Sequence, residues 1–298
     1  MVPWWIAGAG VAAAGSALGL YWKRRQPAVA VVRVTGVIRA GRDGGRLVGA
    51  GTAASERITG WLRAAQRDDA VRAIVLRVDS PGGSVTASDE IYTEVRHTRE
   101  QYGKPVVVSM GSVAASGGYY ISVPANRIVA NPTTLTGSIG VITMIPNYQE
   151  LLQKIGVQAS VLKTGPFKDL TSGLRPLTDQ DRAVLQAVLD DSYQRFVEVV
   201  AQGRGLAPDR VRELADGRVF TARQAKDLGL VDDLGDLHEA IAAAGRMVGL
   251  GDTPRTVEYA SGRSFPLRMA AGLTDWLPVE LQALLTTERQ KIWYLYLG

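Results

Sequence analysis

The chain contains no cysteine and only two histidines among its 298 residues. The lack of cysteine excludes a thiol nucleophile, a disulfide framework and a cysteine-rich metal site. His97 and His238 both lie in charged helical stretches, where a solvated surface position is expected for each. A Ser-His-Asp triad is therefore disfavoured, and a lysine is the natural substitute for its base, because Ser-Lys pairs are an accepted variant of the triad. We expect neither a metal ion nor another cofactor.

An excess of charge of one sign is also missing from most of the chain. The formal net charge is +5, and Lys23, Arg24 and Arg25 supply three of those charges, which leaves the remainder near balance at +2. No aromatic-basic motif is present, so nucleic acid is not an expected partner. No internal repeat is visible. With 46% hydrophobic residues, the chain can bury one sizeable core.

A stretch without charge lies near the start of the chain, at residues 4–22, and aromatic residues bound it at both ends. Its 19 residues are just enough to span a bilayer, and aromatic ends suit the two interfaces. The only positive charge ahead of it is the amino terminus, which favours an uncleaved transmembrane helix over a cleaved signal peptide. The positive-inside rule would place Lys23, Arg24 and Arg25, directly after this helix, in the cytoplasm.

The rest of the chain alternates short β-branched runs with helical patterns, which predicts an α/β layered domain. Thr178 and Asp181 resemble a capping box at the start of the longest helix. The aromatic end of the chain, residues 292–297, fits an edge strand, a docking tail or an interfacial segment. The predicted strands are residues 29–34, 73–78, 106–109, 127–130 and 157–162, and the predicted helices are residues 56–66, 88–100 and 179–202.

The segment with the clearest chemical meaning is GSVAASGGYY at residues 111–120, which follows the strand-like residues 105–110. It places Ser116 directly before Gly117 and Gly118. A serine at a tight strand-to-helix turn exposes its hydroxyl, and the next backbone N–H can face a developing oxyanion. Taken alone, Ser-Gly-Gly is also an ordinary turn.

The candidate base comes from a short list, since the chain has only seven lysines. Lys163 and Lys168 flank a loop, and Lys168 follows Phe167. A lysine acts as a base near neutral pH only where its ammonium form is disfavoured, usually by desolvation. The alternative for Lys168 is an ordinary surface loop lysine.

Several segments together resemble the signal peptide peptidase A family of membrane-bound bacterial serine proteases, in its short single-repeat form. They occur in that family's order and cover roughly residues 28 to 245. The matching segments are VDSPGGSV (78–85), VAASGGYYIS (113–122), LTGSIGV (135–141), GPFKD (165–169), DGRVF (216–220) and GLVDDLG (229–235).

The resemblance implies a role for each matching residue. Ser116 would be the nucleophile, Lys168 the general base, and Ser138 a second serine that orients the lysine. Gly83 and Gly117 would supply the backbone donors of the oxyanion hole. From the residues alone, Ser138 is a turn residue between glycines, and Gly83 belongs to a plain strand-to-helix turn.

The resemblance also implies a ClpP/crotonase-like fold, with a transmembrane segment and basic flank at residues 1–27, a peptidase domain at 28–248 and an extension of unknown role at 249–298. The expected substrates are remnant signal peptides or other apolar peptides. The protease domain would be extracytoplasmic, which conflicts with the basic flank. Nothing in the 52-position spacing of Ser116 and Lys168 requires the two side chains to meet within one subunit. In the family's long form they come from different tandem repeats of one chain. Because this chain has one repeat, the resemblance implies a ring-shaped homo-oligomer whose subunits share sites.

Two alternatives remain on the sequence. A crotonase-like acyl-CoA enzyme would share the fold and a glycine oxyanion hole, but it needs no paired serine and lysine. An inactive membrane scaffold of the same fold is the other alternative, although no part of the motif set is missing.

Overall fold

The computed structural model describes residues 26–41, 52–259 and 293–295. The predicted transmembrane segment at residues 4–22 lies outside these ranges, and within them no helix is long and apolar enough to cross a membrane. The described strands are β1 (Ala28–Thr35), β2 (Val37–Arg39), β3 (Thr52–Ala54), β4 (Val71–Ser80), β5 (Gly82–Ser84), β6 (Val106–Ala115), β7 (Arg127–Ala130), β8 (Leu135–Gly137), β9 (Val219–Thr221), β10 (Asp233–Leu234), β11 (Thr256–Tyr259) and β12 (Trp293–Leu295). The described helices are α1 (Ser55–Arg67), α2 (Val85–Glu100), α3 (Gly117–Tyr120), α4 (Gln149–Lys154), α5 (Asp179–Arg204), α6 (Pro208–Leu214), α7 (Ala222–Asp227) and α8 (Leu237–Met247).

The main sheet has the strand order β10-β7-β6-β4-β1-β11, and all neighbours along this path are parallel. β1 and β4 are nearly continuous apolar runs, as expected of interior parallel strands that are covered on both faces. The α/β layered architecture predicted from the sequence is confirmed in this form. β11 lies beyond residue 248 and extends the same sheet.

Two hydrophobic cores cover the two faces of this sheet. The side chains of β1 alternate between them, with Ala30 and Val32 in the larger core and Val29 and Val31 in the smaller one. Helices α1 and α2 pack together over the larger core, while α8 covers the smaller one. The carboxyl ends of β4 and β6, where the candidate site lies, are thereby fixed between two buried layers.

A second, smaller sheet has the order β12-β5-β2-β3. β5 follows β4 after Pro81, runs parallel to β2 and is paired antiparallel with β12. The registered pairs of β12 with β5 are Trp293 with Ser84, Tyr294 with Gly83 and Leu295 with Gly82.

Four of the five predicted strands are confirmed as parts of β1, β4, β6 and β7, and the three predicted helices are confirmed as α1, α2 and α5. The fifth, at residues 157–162, is wrong, because this segment forms neither strand nor helix. Val157 and Val161 are exposed and Leu162 is 100% exposed. A β-branched run forms a strand only where it can pair and half-bury its side chains, and here it does neither.

Helix α5 begins with the capping box predicted from Thr178 and Asp181. Its carboxyl half is buried through Phe196 and its neighbours, whereas Val184 and Val188 in the amino half are exposed. The apolar side chains of this helix are therefore core in its carboxyl half and uncovered surface in its amino half.

Candidate active site

Ser116 lies at the turn between β6 and the short helix α3. Its backbone has φ 52° and ψ −117°, and its carbonyl accepts a hydrogen bond of 2.8 Å from the N–H of Tyr120. A positive φ is costly for a residue with a Cβ atom, and such strain is concentrated at functional sites. The strand-to-helix turn predicted from the small residues around Ser116 is present.

The hydroxyl of Ser116 is buried without a partner. The residue is 1% exposed, and its Oγ has no hydrogen-bond partner within the described part of the chain. Most buried hydroxyls are hydrogen-bonded, so an unpaired one calls for a specific explanation. A nucleophile that awaits its base and substrate is such an explanation.

The structure brings Ser138 next to Ser116. Strands β8 and β6 run parallel with Gly137 paired to Ala115, and the N–H of Ser116 donates to the carbonyl of Gly137 at 2.8 Å. Ser138 follows that paired residue with φ 49°. Among the described residues other than glycine, these two serines alone have positive φ. Both therefore leave neighbouring strands at one point of the sheet.

The DGRVF segment holds the turn of Ser138 in place. The N–H of Ser138 donates to the carbonyl of Arg218 at 2.8 Å, and β9 pairs antiparallel with β8. A Cβ on Gly137 would lie 2.5 Å from the ring of Phe220, and the φ of this glycine is +80°. Strand β9 thus sets the position of Ser138, which looks like an ordinary turn residue when the sequence alone is considered.

Gly83 and Gly117 are also adjacent. A Cβ on Gly117 would lie 3.1 Å from the backbone N of Gly83 and 2.6 Å from the hydroxyl oxygen of Ser88. A Cβ on Gly118 would lie 2.6 Å from the carbonyl oxygen of Ser80. The close approach of α3 to the end of β4 is possible only without side chains, and it places two candidate oxyanion donors beside Ser116.

Lys168 is placed differently from the other four candidates. It is exposed, in a series of turns between α4 and α5, where its N–H donates to the carbonyl of Gly165 at 3.3 Å. No hydrogen bond joins its ammonium group to Ser116, Ser138 or any other described residue. Four candidate residues thus meet at the ends of β4, β6 and β8, and Lys168 is not joined to them by a contact within the described chain.

Lys168 adjoins a network of charged residues that no sequence pattern connects. Asp169 forms ion pairs with Lys163 at 2.7 Å and Arg175 at 2.9 Å, and Arg175 also pairs with Asp181. Hydrogen bonds from Arg175, and then from Lys163, hold the pKa of the Asp169 carboxyl well below its usual range. The GPFKD segment was the available signal for Asp169, but nothing in it pointed to Arg175.

A cavity of about 540 Å³ opens beside Ser138. Its wall includes the apolar side chains of Val141, Ile142 and Leu189, together with Tyr193 and the carboxylate of Asp216. The guanidinium of Arg218, hydrogen-bonded to Asp216, holds the pKa of that carboxyl at about 2, so it is ionised at neutral pH. The site therefore adjoins a space whose wall combines apolar side chains with the carboxylates of Asp190 and Asp216.

Comparison with known proteins identifies the family. Residues 98–251 match peptidase family S49, a span that includes Ser116, Ser138 and Lys168. A candidate protease of Synechocystis sp. is 42% identical over 237 residues, which cover 74% of this chain and 83% of that protein. Protease 4 of Salmonella typhi is 44% identical over 222 residues, which cover 74% of this chain and 35% of that protein.

A candidate signal peptide peptidase SppA of Enterococcus faecium is 39% identical over 198 residues, which cover 66% of this chain and 57% of that protein. The chain thus spans most of the Synechocystis relative and about a third of Protease 4. The family match covers more than half of the chain and includes the strand ends that carry the paired serine turns. The chain therefore belongs to peptidase family S49 and is a serine peptidase of the signal peptide peptidase A type.

Proposed function

We propose that this protein is a membrane-anchored endopeptidase that degrades remnant signal peptides or other apolar peptides through an acyl-enzyme on Ser116. The observation that carries the proposal is the buried, unpartnered hydroxyl of Ser116 on a strained turn. Gly83 and Gly117 lie together beside that turn. This combination supports nucleophilic attack followed by stabilisation of an oxyanion.

In the proposed mechanism, Oγ of Ser116 attacks the scissile carbonyl carbon while Lys168 Nζ takes the hydroxyl proton. The backbone N–H groups of Gly83 and Gly117 stabilise the tetrahedral oxyanion. The C–N bond then breaks, the lysine returns the proton to the leaving amine, and an ester to Ser116 remains. Water activated by the same lysine hydrolyses this ester and regenerates the hydroxyl. Ser138 orients the lysine.

We propose that Lys168 reaches Ser116 of a neighbouring subunit in a ring-shaped homo-oligomer. Two observations support this arrangement. The ammonium group of Lys168 has no partner among the described residues, and the surrounding segment exposes apolar side chains. These are Ile142, Met144, Tyr148, Leu151, Ile155, Val157, Val161, Leu162 and Phe167. A patch of this kind is typical of a protein interface.

The substrate class is inferred from β5 and from a relative's name. β5 carries Gly83 and accepts β12 as an antiparallel partner, so this edge can bind an extended chain through its backbone. A substrate bound in the same way would run past Gly83 and Ser116. The Enterococcus relative is named a candidate signal peptide peptidase, and its name supports apolar signal remnants as substrates here.

The proposed domain organisation places a transmembrane anchor and basic flank at residues 1–27, the peptidase domain at 28–248 and an extension at 249–298, whose strand β11 adds to the edge of the main sheet of the peptidase domain. The peptidase domain would lie on the extracytoplasmic side of the membrane, and its substrates would be remnant signal peptides released into the bilayer. The basic residues Lys23, Arg24 and Arg25 favour the opposite side. Protease protection of the domain in sealed vesicles distinguishes the two orientations.

The test is labelling by a fluorophosphonate together with hydrolysis of an apolar peptide. Ser116→Ala and Lys168→Ala should each lower the rate by on the order of 10³-fold or more, because members of a catalytic unit act together. Ser122→Ala is the matched control, since Ser122 is equally buried but its hydroxyl is bonded to the carbonyl of Gly118. Turnover of Ser116→Ala within tenfold of the unmodified protein contradicts the mechanism. That result would favour one of the two alternatives, a crotonase-like acyl-CoA enzyme or an inactive membrane scaffold.

A further inference from the structure

The turn that carries Lys168 lacks the support of regular structure. Between the end of α4 at Lys154 and the start of α5 at Asp179, the chain forms neither helix nor strand. A general base must nevertheless be held within a fraction of an ångström of its working position. Some other interaction therefore has to fix this turn.

Arg175 contacts the residue next to Lys168 through two parallel hydrogen bonds. Its Nη2 lies 2.9 Å from Oδ1 of Asp169, and its Nε lies 3.1 Å from Oδ2. Lys163 Nζ adds a third contact, 2.7 Å from Oδ1 of the same carboxylate. The Asp169 side chain is only 8% exposed, so the carboxylate depends on these cations for compensation of its charge.

The same guanidinium also contacts the first turn of α5. Nη2 of Arg175 lies 3.2 Å from Oδ1 of Asp181, and Nη1 donates to Oδ2. The side chain of Asp181 is 2% exposed and accepts a hydrogen bond of 2.9 Å from the N–H of Thr178, as part of the capping box. Arg175 thus bridges two buried carboxylates, one beside Lys168 and one at a helix start.

Helix α5 connects this bridge to the core near the nucleophile. The ring of Phe196 in α5 meets that of Tyr120 edge-on, with centroids 5.0 Å apart and an interplanar angle of 69°. Tyr120 ends α3, the helix that follows Ser116. The Lys168 turn is therefore tied through α5 to the buried core of its own subunit.

From these contacts we infer that Arg175 is a positioning residue for Lys168, because it clamps Asp169 to the first turn of α5. The inference rests on the proposed function, in which Lys168 is the general base. Only arginine offers a planar fork that can serve two carboxylates at once, so a lysine at this position would keep the charge but lose part of the clamp. The hydrogen bond from Arg175 holds the pKa of Asp181 low, as it does that of Asp169, so both carboxylates are ionised at neutral pH.

The test compares Arg175→Met and Arg175→Lys with the control Arg210→Met. Arg210 forms an exposed ion pair with Glu213 in α6 and belongs to no part of the bridge. With the full-length protein in detergent and an apolar fluorogenic peptide, Arg175→Met should lower kcat by about 10²-fold while KM changes by less than about threefold. Arg175→Lys should recover part of the loss, and Arg210→Met should leave both constants unchanged.

Combining Arg175→Met with Lys168→Ala separates positioning from a general structural defect. If Arg175 acts through Lys168, the double variant should label with fluorophosphonate as slowly as Lys168→Ala alone. A further loss in the double variant overturns the inference, as does a kcat of Arg175→Met within twofold of the unmodified protein.

Lys163→Met covers the case in which Arg175→Met does not fold. This change removes one cation from Asp169 and leaves Asp181 untouched, so a smaller loss of kcat is expected, and an unchanged kcat rejects the clamp. The two proposals fail differently. Full activity of Lys168→Ala rejects the proposed function, whereas an inactive Lys168→Ala beside a fully active Arg175→Met rejects only the positioning role.

Discussion

Replacing Ser116 by alanine should abolish activity and at the same time make the protein more stable. The hydroxyl of Ser116 is buried without a hydrogen-bond partner in the described structure, and such a group costs about 1–3 kcal/mol. Alanine removes the hydroxyl and keeps the Cβ, so the backbone strain is unchanged. After allowance for the small void left by one oxygen, we expect a net gain of about 1 kcal/mol, or about 2–4 °C in Tm for a domain of this size.

Ser122→Ala is the internal reference for this prediction. Its side chain is also fully buried, but its Oγ donates to the carbonyl of Gly118 at 2.7 Å. Loss of this hydrogen bond in Ser122→Ala should therefore lower the free energy of unfolding by about 1 kcal/mol. Ser116→Gly should be at least as stable as Ser116→Ala, because relief of strain at φ 52° is worth about 1–3 kcal/mol against about 0.5–1 kcal/mol for the added chain entropy.

The assay is urea unfolding of the full-length variants in detergent, followed by circular dichroism, with the comparison made on midpoints at equal slope. If Ser116→Ala is destabilised as much as Ser122→Ala, the reasoning is refuted. In that event the Ser116 hydroxyl must be bonded in solution.

The remaining predictions concern packing, pH, subunit sharing and the end of the chain. Gly118→Ala should destabilise by about 1–3 kcal/mol, because its Cβ would meet the Ser80 carbonyl at 2.6 Å. Gly60 lies in helix α1, and a Cβ on it would meet no atom within 4 Å, so Gly60→Ala should stabilise the protein by about 0.5–1 kcal/mol. A Gly118→Ala variant that unfolds at a higher temperature than Gly60→Ala contradicts the packing described here. Activity should rise from neutral to alkaline pH, because the lysine must be neutral to accept a proton. Asp169 and Asp181 have lowered pKa values, so they stabilise the folded protein at neutral and alkaline pH. This contribution is lost only as the pH falls below the pKa of an ordinary carboxyl group. These two groups therefore cannot cause the rise in activity from neutral to alkaline pH. A profile of kcat/KM that falls over this range with the protein folded counts against a lysine base. Inactive Ser116→Ala and Lys168→Ala chains, co-assembled with different tags, should regain part of the activity, and background activity in verified mixed assemblies means that each subunit builds its own site. Removal of residues 293–298 should lower KM for apolar peptides, because β12 occupies the edge of β5 that a substrate strand would use, and an unchanged KM rules out that competition.

The sequence was most informative where side chains are buried in a regular layer. The runs in β1, β4 and β6 are rich in β-branched apolar residues, a composition typical of the interior strands of a parallel sheet. The turn at Ser116 was foreseeable because Gly117 and Gly118 allow a tight approach. The adjacency of Ser116 and Ser138, by contrast, depends on the pairing of β8 with β6, which no local pattern indicates; the family resemblance implied only that Ser138 orients the lysine.

The parts that could not be predicted depend on the course of irregular chain. The valines at 157 and 161 suggested a strand, but no neighbour pairs with them, and pairing is a property of the whole fold. The ion pairs that join Asp169 to Arg175 and Arg175 to Asp181 could not be predicted either, because the spacing of these three residues in the sequence is no different from that of ordinary surface charges. Ion pairs leave no periodic trace in a sequence, and only the path of the chain brings these groups together.

The proposed oxyanion site and the turn of the proposed nucleophile are built almost entirely from main chain. The positive φ of Ser116, the contact of Gly117 with Gly83 and the bond from the N–H of Ser116 to Gly137 are all settled when the sheet forms. Fixed dipoles of this kind need no reorientation as charge develops on the substrate, so the free energy of organising them is spent during folding and not during each turnover. Substitutions of side chains other than those that carry out the reaction or position the base should consequently change which peptides bind far more readily than they change the chemical step.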